Sequence, residues 1–274
     1  PIVRFERQGG GKEAIENAAK LLSKAKFPVI LSGAGVVLGG AIDECKKLAE
    51  KLDAPVCNGY QHNDSFPGSH PLAVGPLGYN GSKAAMELIS KADVVLALGT
   101  RLNPFSTLPG YGIDYWPKKA TIIQVDMNPD RIGLTKKVSV GICGDAKQVA
   151  QQILDKLTSD AGNTGREERK NLIHKTKSAW LQTLSGLDHE EDDPGTVWNK
   201  EARERDKDRM SPRQAWRAIQ DALPQDAIIS SDIGNNCAIG NAYPTFEKPR
   251  KYLAPGLFGP CAVSYTHLTL PTKA

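Results

Sequence analysis

The chain has 274 residues, 40% of them hydrophobic and 24% charged, with a net charge of +4. That composition suits a soluble globular protein with a sizeable core. The basic residues alternate with acids, as in GREERKNLIHKTK and NKEARERDKDR, which excludes a nucleic-acid stripe, and no apolar run approaches the ~20 residues that span a bilayer.

From Lys12 onward, helical and strand patterns alternate. KEAIENAAKLLSKA places Ile15, Ala18, Ala19 and Leu22 at helical spacing, and FPVILSG is a short, wholly apolar run of the kind that fills a buried parallel strand. SGAGVVLGG reads as a turn into AIDECKKLAEKL, an amphipathic helix with Ile42, Cys45, Leu48, Ala49 and Leu52 on one side. APVCNG gives the second strand. YQHNDSFPGSHPLAVGPLGYNGSK reads as a long structured loop over the ligand edge of the sheet, followed by a helix near KAAMELISKA. DVVLALGT and ATIIQVDMN supply the third and fourth strands, and VSVGICGD with AKQVAQQILDKL completes the series. The expected fold is α/β, a doubly wound parallel sheet spanning 12–158. Residues 159–210 are polar and charged, a linker with a helix at Arg166 to Leu184. Order returns at 211–262, where Ser211, Pro212 and Gln214 form a capping signal before AIISSD, the first strand of a second α/β unit.

Several strand tips carry candidate ligand groups. Gly33 and Gly35 follow the first strand, where backbone amides approach a pyrophosphate in dinucleotide folds. The next glycines are Gly39 and Gly40, however, and no acid ends the second strand, since Asp53 precedes it. Close strand-to-helix packing is the competing role for these glycines. Gly99, Thr100 and Arg101 end the third strand and lead into a stiff aromatic loop with Phe105, Tyr111, Tyr115 and Trp116. Such a loop either lines a pocket or packs on a neighbouring domain or subunit. Asp126 ends the fourth strand beside Asn128 and Pro129, as a ribose acceptor or a turn cap. His62, Asp64 and His70 share one loop without metal-ligand spacing, so contacts to nearby backbone are expected instead of a metal. The five cysteines (Cys45, Cys57, Cys143, Cys237, Cys261) are odd in number and form no CxxC pair. They read as small buried side chains in a reducing cytoplasm. No GxSxG, GxxxxGK[ST] or HExxH motif is present.

SDIGNN, at the end of the AIISSD strand, is either an Asx-capped turn or half of an anion site. A glycine past a strand tip lets amides face a phosphate, and the Asn235 and Asn236 carboxamides donate without adding charge.

Taken together, IVRFER, FPVILSGAGVVLGGAI, the string from LDAPVCNGYQ to KAAMELI, LGTRLNPFSTLPGYGIDYWPK, QVDMNPDRIGLTKKV and SDIGNNCAIGNAYP carry a family resemblance. The chain resembles thiamine diphosphate-dependent enzymes of the acetolactate synthase and pyruvate decarboxylase superfamily. Within it, the long loop strings resemble the acetyltransferases that act on sulfoacetaldehyde. The resemblance runs from about Ile2 to Cys261 and is weakest in the charged linker. It implies a central domain at 12–158 and the start of a diphosphate-binding domain at 211–262, with 1–11 as a linker from a pyrimidine-binding domain. It assigns Gly234, Asn235 and Asn236 to the diphosphate of thiamine diphosphate. It also implies Mg²⁺, sulfoacetaldehyde cleavage with loss of sulfite, phosphate as acetyl acceptor, and a homo-oligomer.

The family's GDG magnesium signature has no counterpart, because the single GD pair, Gly144-Asp145, precedes alanine in the central domain. VSYTHLTLPTKA, from Val263, looks like a translated sequencing adapter, and the bare Pro1 fits an interrupted gene read. The chain by itself is therefore expected to be inactive. Alternatives are an acetolactate synthase-like carboligase, an FAD- or ADP-binding central domain using Gly33, Gly35, Arg101 and Asp126, and a domain serving subunit contacts. An NAD-dependent dehydrogenase ranks behind these for want of the ribose-binding acid.

Overall fold

Short apolar runs need cover on both faces, and the first half of the chain provides it by parallel pairing. The computed structural model describes residues 8–78, 81–187, 210, 212–231, 234 and 239–254. Its main sheet holds β1 (Pro28–Ser32), β2 (Val56–Asn58), β3 (Ala73–Pro76), β4 (Val94–Leu98), β5 (Thr121–Asp126) and β6 (Val140–Cys143). The order is β3-β2-β1-β4-β5-β6, and every pairing is parallel. Strand order reverses between β1 and β4, whose residues are all buried. That reversal is the topological switch point at which open α/β sheets hold ligands.

The helices follow from their apolar spacing. In α1 (Lys12–Lys24), Ile15, Ala18, Ala19 and Leu22 are buried. A short α2 (Ala34–Gly39) precedes α3 (Ile42–Leu52), which buries Cys45, Leu48, Ala49 and Leu52. Each fully buried leucine contributes about 1.5–3 kcal/mol relative to exposure. Helices α1, α2 and α3 pack against α5 (Ala146–Lys156), whereas α4 (Lys83–Ile89) packs against β2, β3 and α6 (Arg166–Leu187).

Two local expectations are corrected. SGAGVVLGG is not a simple turn, because Val36 and Val37 are buried and Ala34–Gly39 closes one helical stretch. Gly40 ends it in the left-handed region at φ 66°, a conformation glycine adopts without a Cβ penalty. The long loop after β2 contains an edge strand, β3, so the sheet has six strands where five were expected. Pro76 is tolerated there because an edge strand needs fewer ladder donors.

The charged stretch after Leu157 also builds α6, and its first turn is anchored deeply. All five N–H groups of the buried Arg169 donate to backbone carbonyls: Nε to Asp53, Nη1 to Lys26 and Thr164, Nη2 to Leu52 and Gly162, at 2.5–2.9 Å. Leu52 and Asp53 end α3, whose C-terminal carbonyls favour a cation. Ile173, Trp180 and Leu184 are buried farther along α6.

Beyond it, α7 (Pro212–Ala222), β7 (Ile229–Ser230) and β8 (Tyr252–Leu253) form a second α/β unit, with β7 and β8 parallel. Ser211, Asn235, Asn236 and the 263–274 tail lie outside the described residues.

Candidate functional site

Two places answer to the sequence candidates: the carboxyl edge of the main sheet and the exit of β7. At the first, Gly33 and Gly35 form a backbone seam with β4. The Gly33 N–H donates to Leu98 O at 3.1 Å and the Gly35 N–H to Gly99 O at 2.8 Å. A Cβ on Gly35 would lie 2.6 Å from the Gly99 Cα, and one on Gly33 would lie 2.6 Å from the Gly99 O. Both amides therefore already have carbonyl partners, and only glycine fits the approach.

Around this seam, Asp126 Oδ1 accepts from the Asn128 N–H at 2.9 Å, and Asn128 Oδ1 accepts from the Asp130 N–H at 3.0 Å. These are successive side-chain-capped turns. Arg101, three residues past the end of β4, is exposed. Tyr60 stacks on Phe105 with ring centroids 6.3 Å apart. Tyr115 is fully buried and its hydroxyl donates to Ser106 O at 3.0 Å. Phe105, Leu108 and Tyr111, by contrast, keep more than two fifths of their surface exposed.

His62, Asp64 and His70 do not converge. One His70 ring nitrogen lies 3.3 Å from Glu50 Oε1, and the other accepts from the Leu72 N–H at 3.2 Å. Burial lowers the His62 pKa, with Asp64 opposing and Arg101 adding to the shift. Asp64 is 3% exposed, and its Oδ2 accepts from the Lys251 and Tyr252 N–H groups at 2.9 and 3.4 Å. The expectation of nearby backbone partners holds for His70, whereas Asp64 reaches the second unit. Among the described residues no group of three or more His, Cys, Asp or Glu could hold a metal. Asp145 is likewise committed, since its Oδ1 caps α5 by accepting from the Lys147 and Gln148 N–H groups. Burial pushes the Cys45 thiol up to about 12 and raises that of Cys57 as well.

At the second place, β7 is held by the Ile229 N–H donating to Lys251 O at 2.8 Å and the Ser231 N–H to Leu253 O at 2.9 Å. Gly234 follows with φ +124° and open space where a Cβ would stand. Downstream, Gly240 packs beneath the Trp216 indole of α7, and the Arg217 guanidinium lies 5.7 Å from the Tyr243 ring centre. Gly234 itself thus stands open beyond the paired end of β7. An open glycine apex at a strand exit suits a diphosphate, whose oxygens approach backbone N–H groups closely. Neither the Asp64 contact nor the buried Arg169 was expected from sequence, because both depend on partners far along the chain.

The family model for the thiamine pyrophosphate enzyme central domain matches residues 15–153. A protein named "Probable sulfoacetaldehyde acetyltransferase" from Rhizobium meliloti is 77% identical over 264 residues, covering 96% of this chain and 45% of that protein. A sulfoacetaldehyde acetyltransferase from Roseovarius nubinhibens is 76% identical over 260 residues, covering 95% of this chain and 43% of its own length. An acetolactate synthase large subunit from Buchnera aphidicola is 31% identical over 253 residues, covering 91% and 40%. The chain thus spans less than half the length of the curated relatives it matches. No helix among the described residues is long and apolar enough to cross a membrane.

Proposed function

Since the chain belongs to the thiamine pyrophosphate enzyme family through its central domain, we propose that it serves a thiamine diphosphate-dependent acetyltransferase. The reaction is cleavage of sulfoacetaldehyde with release of sulfite and transfer of the acetyl group to phosphate, giving acetyl phosphate. Relatives with this name at 76–77% identity support that substrate choice over the carboligation suggested by the more distant synthase. The family match at 15–153 supports a central domain over 12–158, and the opening of a diphosphate-binding domain is assigned to 211–262.

The observation that carries the site is the open turn at Gly234, with φ +124° at the exit of β7. Thiamine diphosphate, when bound, supplies the carbanion chemistry that no side chain provides. The chain's own role is to grip its diphosphate with backbone N–H groups at Gly234 and with the Asn235 and Asn236 carboxamides, which donate without placing a second charge beside the anion. Mg²⁺ finds no fitting ligand set among the described residues, since Asp145 is a buried helix cap. The protein is assigned to the cytoplasm as a homo-oligomer, and the exposed Phe105, Leu108 and Tyr111 supply apolar area for a contact between subunits.

A second reading keeps a nucleotide such as FAD or ADP at the switch point. The Tyr60–Phe105 stack, the exposed Arg101 and the turn at Asp126, all from loops that follow strands of the main sheet, support it. A thermal shift with FAD or ADP tests that reading, and no shift at saturating nucleotide counts against it.

The main proposal is tested by assaying this chain alone and the same chain joined to the flanking parts of the Roseovarius nubinhibens relative. With thiamine diphosphate, Mg²⁺, sulfoacetaldehyde and phosphate, the joined protein should release sulfite and form acetyl phosphate, and the chain alone should form neither. Turnover by the chain alone, or none from a folded joined protein, overturns the reading.

A further inference from the structure

We propose that Asp64 is the positioning residue that sets the diphosphate-gripping turn, acting from the central domain through the backbone of β8. This rests on the assignment of that turn to the cofactor's diphosphate. Asp64 is nearly inaccessible at 3% exposure. Its Oδ2 accepts from the Lys251 N–H at 2.9 Å and the Tyr252 N–H at 3.4 Å. Burying a carboxylate is costly unless it is hydrogen-bonded, and here both donors are consecutive backbone amides at the start of one strand. The other oxygen, Oδ1, is buried without a hydrogen-bond partner among the described residues, where the bonding of this group is directed at β8.

The consequence reaches the turn through the strand ladder. Lys251 O and Leu253 O accept from the Ile229 and Ser231 N–H groups at 2.8 and 2.9 Å. The chain from Ser231 then enters the turn that carries Gly234. A carboxylate that fixes where β8 begins therefore fixes the register of β7, and β7 aims the turn.

The lever itself is tied to the tips of β1 and β2. Ser32 Oγ donates to Ser65 O at 3.0 Å, and Asn58 Nδ2 donates to Ser65 Oγ at 2.9 Å. Parallel contacts seal the same seam: Asn63 Nδ2 donates to Asn241 O at 3.0 Å, and the Gly68 N–H donates to Phe246 O at 2.9 Å. Asp64 differs from these in meeting β8 at its first rung, which separates positioning from general sealing.

The test compares Asp64→Ala and Asp64→Asn in this chain, with Asn63→Ala as the sealing control. Amide hydrogen exchange is read at Ile229 and Ser231, with Leu96 and Ile123 in the central sheet as references. The Gly234 resonance is read with and without inorganic pyrophosphate. Asp64→Ala should accelerate exchange at Ile229 and Ser231 about tenfold and displace the Gly234 resonance while sparing Leu96 and Ile123. Asp64→Asn keeps one acceptor oxygen and should give a smaller local acceleration, about threefold. It decides the matter alone if Asp64→Ala does not fold. No local acceleration at β7, equal acceleration in the central sheet, or the same response from Asn63→Ala overturns the proposal. Pyrophosphate failing to move Gly234 in the unsubstituted chain counts against the diphosphate reading, while the exchange pattern still decides the role of Asp64.

Discussion

Replacing Arg169 with methionine keeps the apolar stem and removes all five donors. The guanidinium gathers carbonyls from Lys26, Leu52, Asp53, Gly162 and Thr164, so its loss strands acceptors at the ends of α1 and α3 and at the entrance to α6. Hydrogen bonds to charged groups contribute about 1.5–3 kcal/mol each when measured singly. Five such terms would rival the ~5–15 kcal/mol stability of a whole domain, so they cannot add independently. The burial that lowers the Arg169 pKa also offsets part of the gain. Each buried carbonyl left without a donor costs about 1–3 kcal/mol, and with the terms far from additive about 3–5 kcal/mol is the expected loss for Arg169→Met. Lysine restores at most three donors and should lose about 1–3 kcal/mol. Urea unfolding followed by circular dichroism measures this. With a slope of about 2 kcal/mol/M, Arg169→Met should lower the midpoint by about 1.5–2.5 M. The loss should persist in about 0.5 M salt, because backbone carbonyls are not screened as an exposed ion pair is. A midpoint within about 0.3 M of the unsubstituted chain would refute the anchor.

Gly35→Ala should destabilise the domain by about 1–3 kcal/mol in the same assay, because its Cβ would meet the Gly99 backbone at 2.6 Å. An unchanged midpoint would mean the seam yields. His62 is held below the ordinary imidazole value, so the unfolded chain binds its proton more readily. Its contribution to stability is full above pH about 6.5 and is lost as the pH falls from there to the lower folded value. His62→Asn should flatten that limb of the stability curve, and an identical limb in both proteins would contradict the shift. Cys45 and Cys57 are buried with raised thiol pKa values, so iodoacetamide at pH 8 should spare them while the half-buried Cys143 reacts. Peptide mapping showing early modification of Cys45 or Cys57 would contradict their burial.

Helices α1, α3 and α5 were legible because each repeats its apolar residues on one face, β1 and β4 because they are short, nearly continuous apolar runs, and β5 because its β-branched Ile122, Ile123 and Val125 precede a turn signal. β3 was not. It is four residues long, contains Gly75 and Pro76, and among the described residues pairs along one side only, with β2. The burial of Arg169 could not be read from GREERK, where a charged run looks like a solvated face. Its partners are carbonyls up to 143 residues away, which leave no local pattern. The same holds for the contact between Asp64 and the start of β8, 187 residues apart. Gly33, Gly35 and Asp126 were visible as strand-tip candidates, but sequence alone left open whether their polar groups face a ligand or the fold itself. In the structure those three groups bond within the fold. The Gly234 turn gained its meaning only through the family resemblance, because glycine followed by two asparagines fits an ordinary turn equally well.

Calorimetric titration of the joined protein with thiamine diphosphate separates the two candidate sites directly. Asn235→Ala with Asn236→Ala should weaken binding about tenfold or more, whereas Arg101→Ala with Asp126→Ala should leave it within about twofold. The reverse ranking, with the strand-tip pair controlling affinity and the asparagines neutral, would contradict the assignment of the diphosphate to the exit of β7.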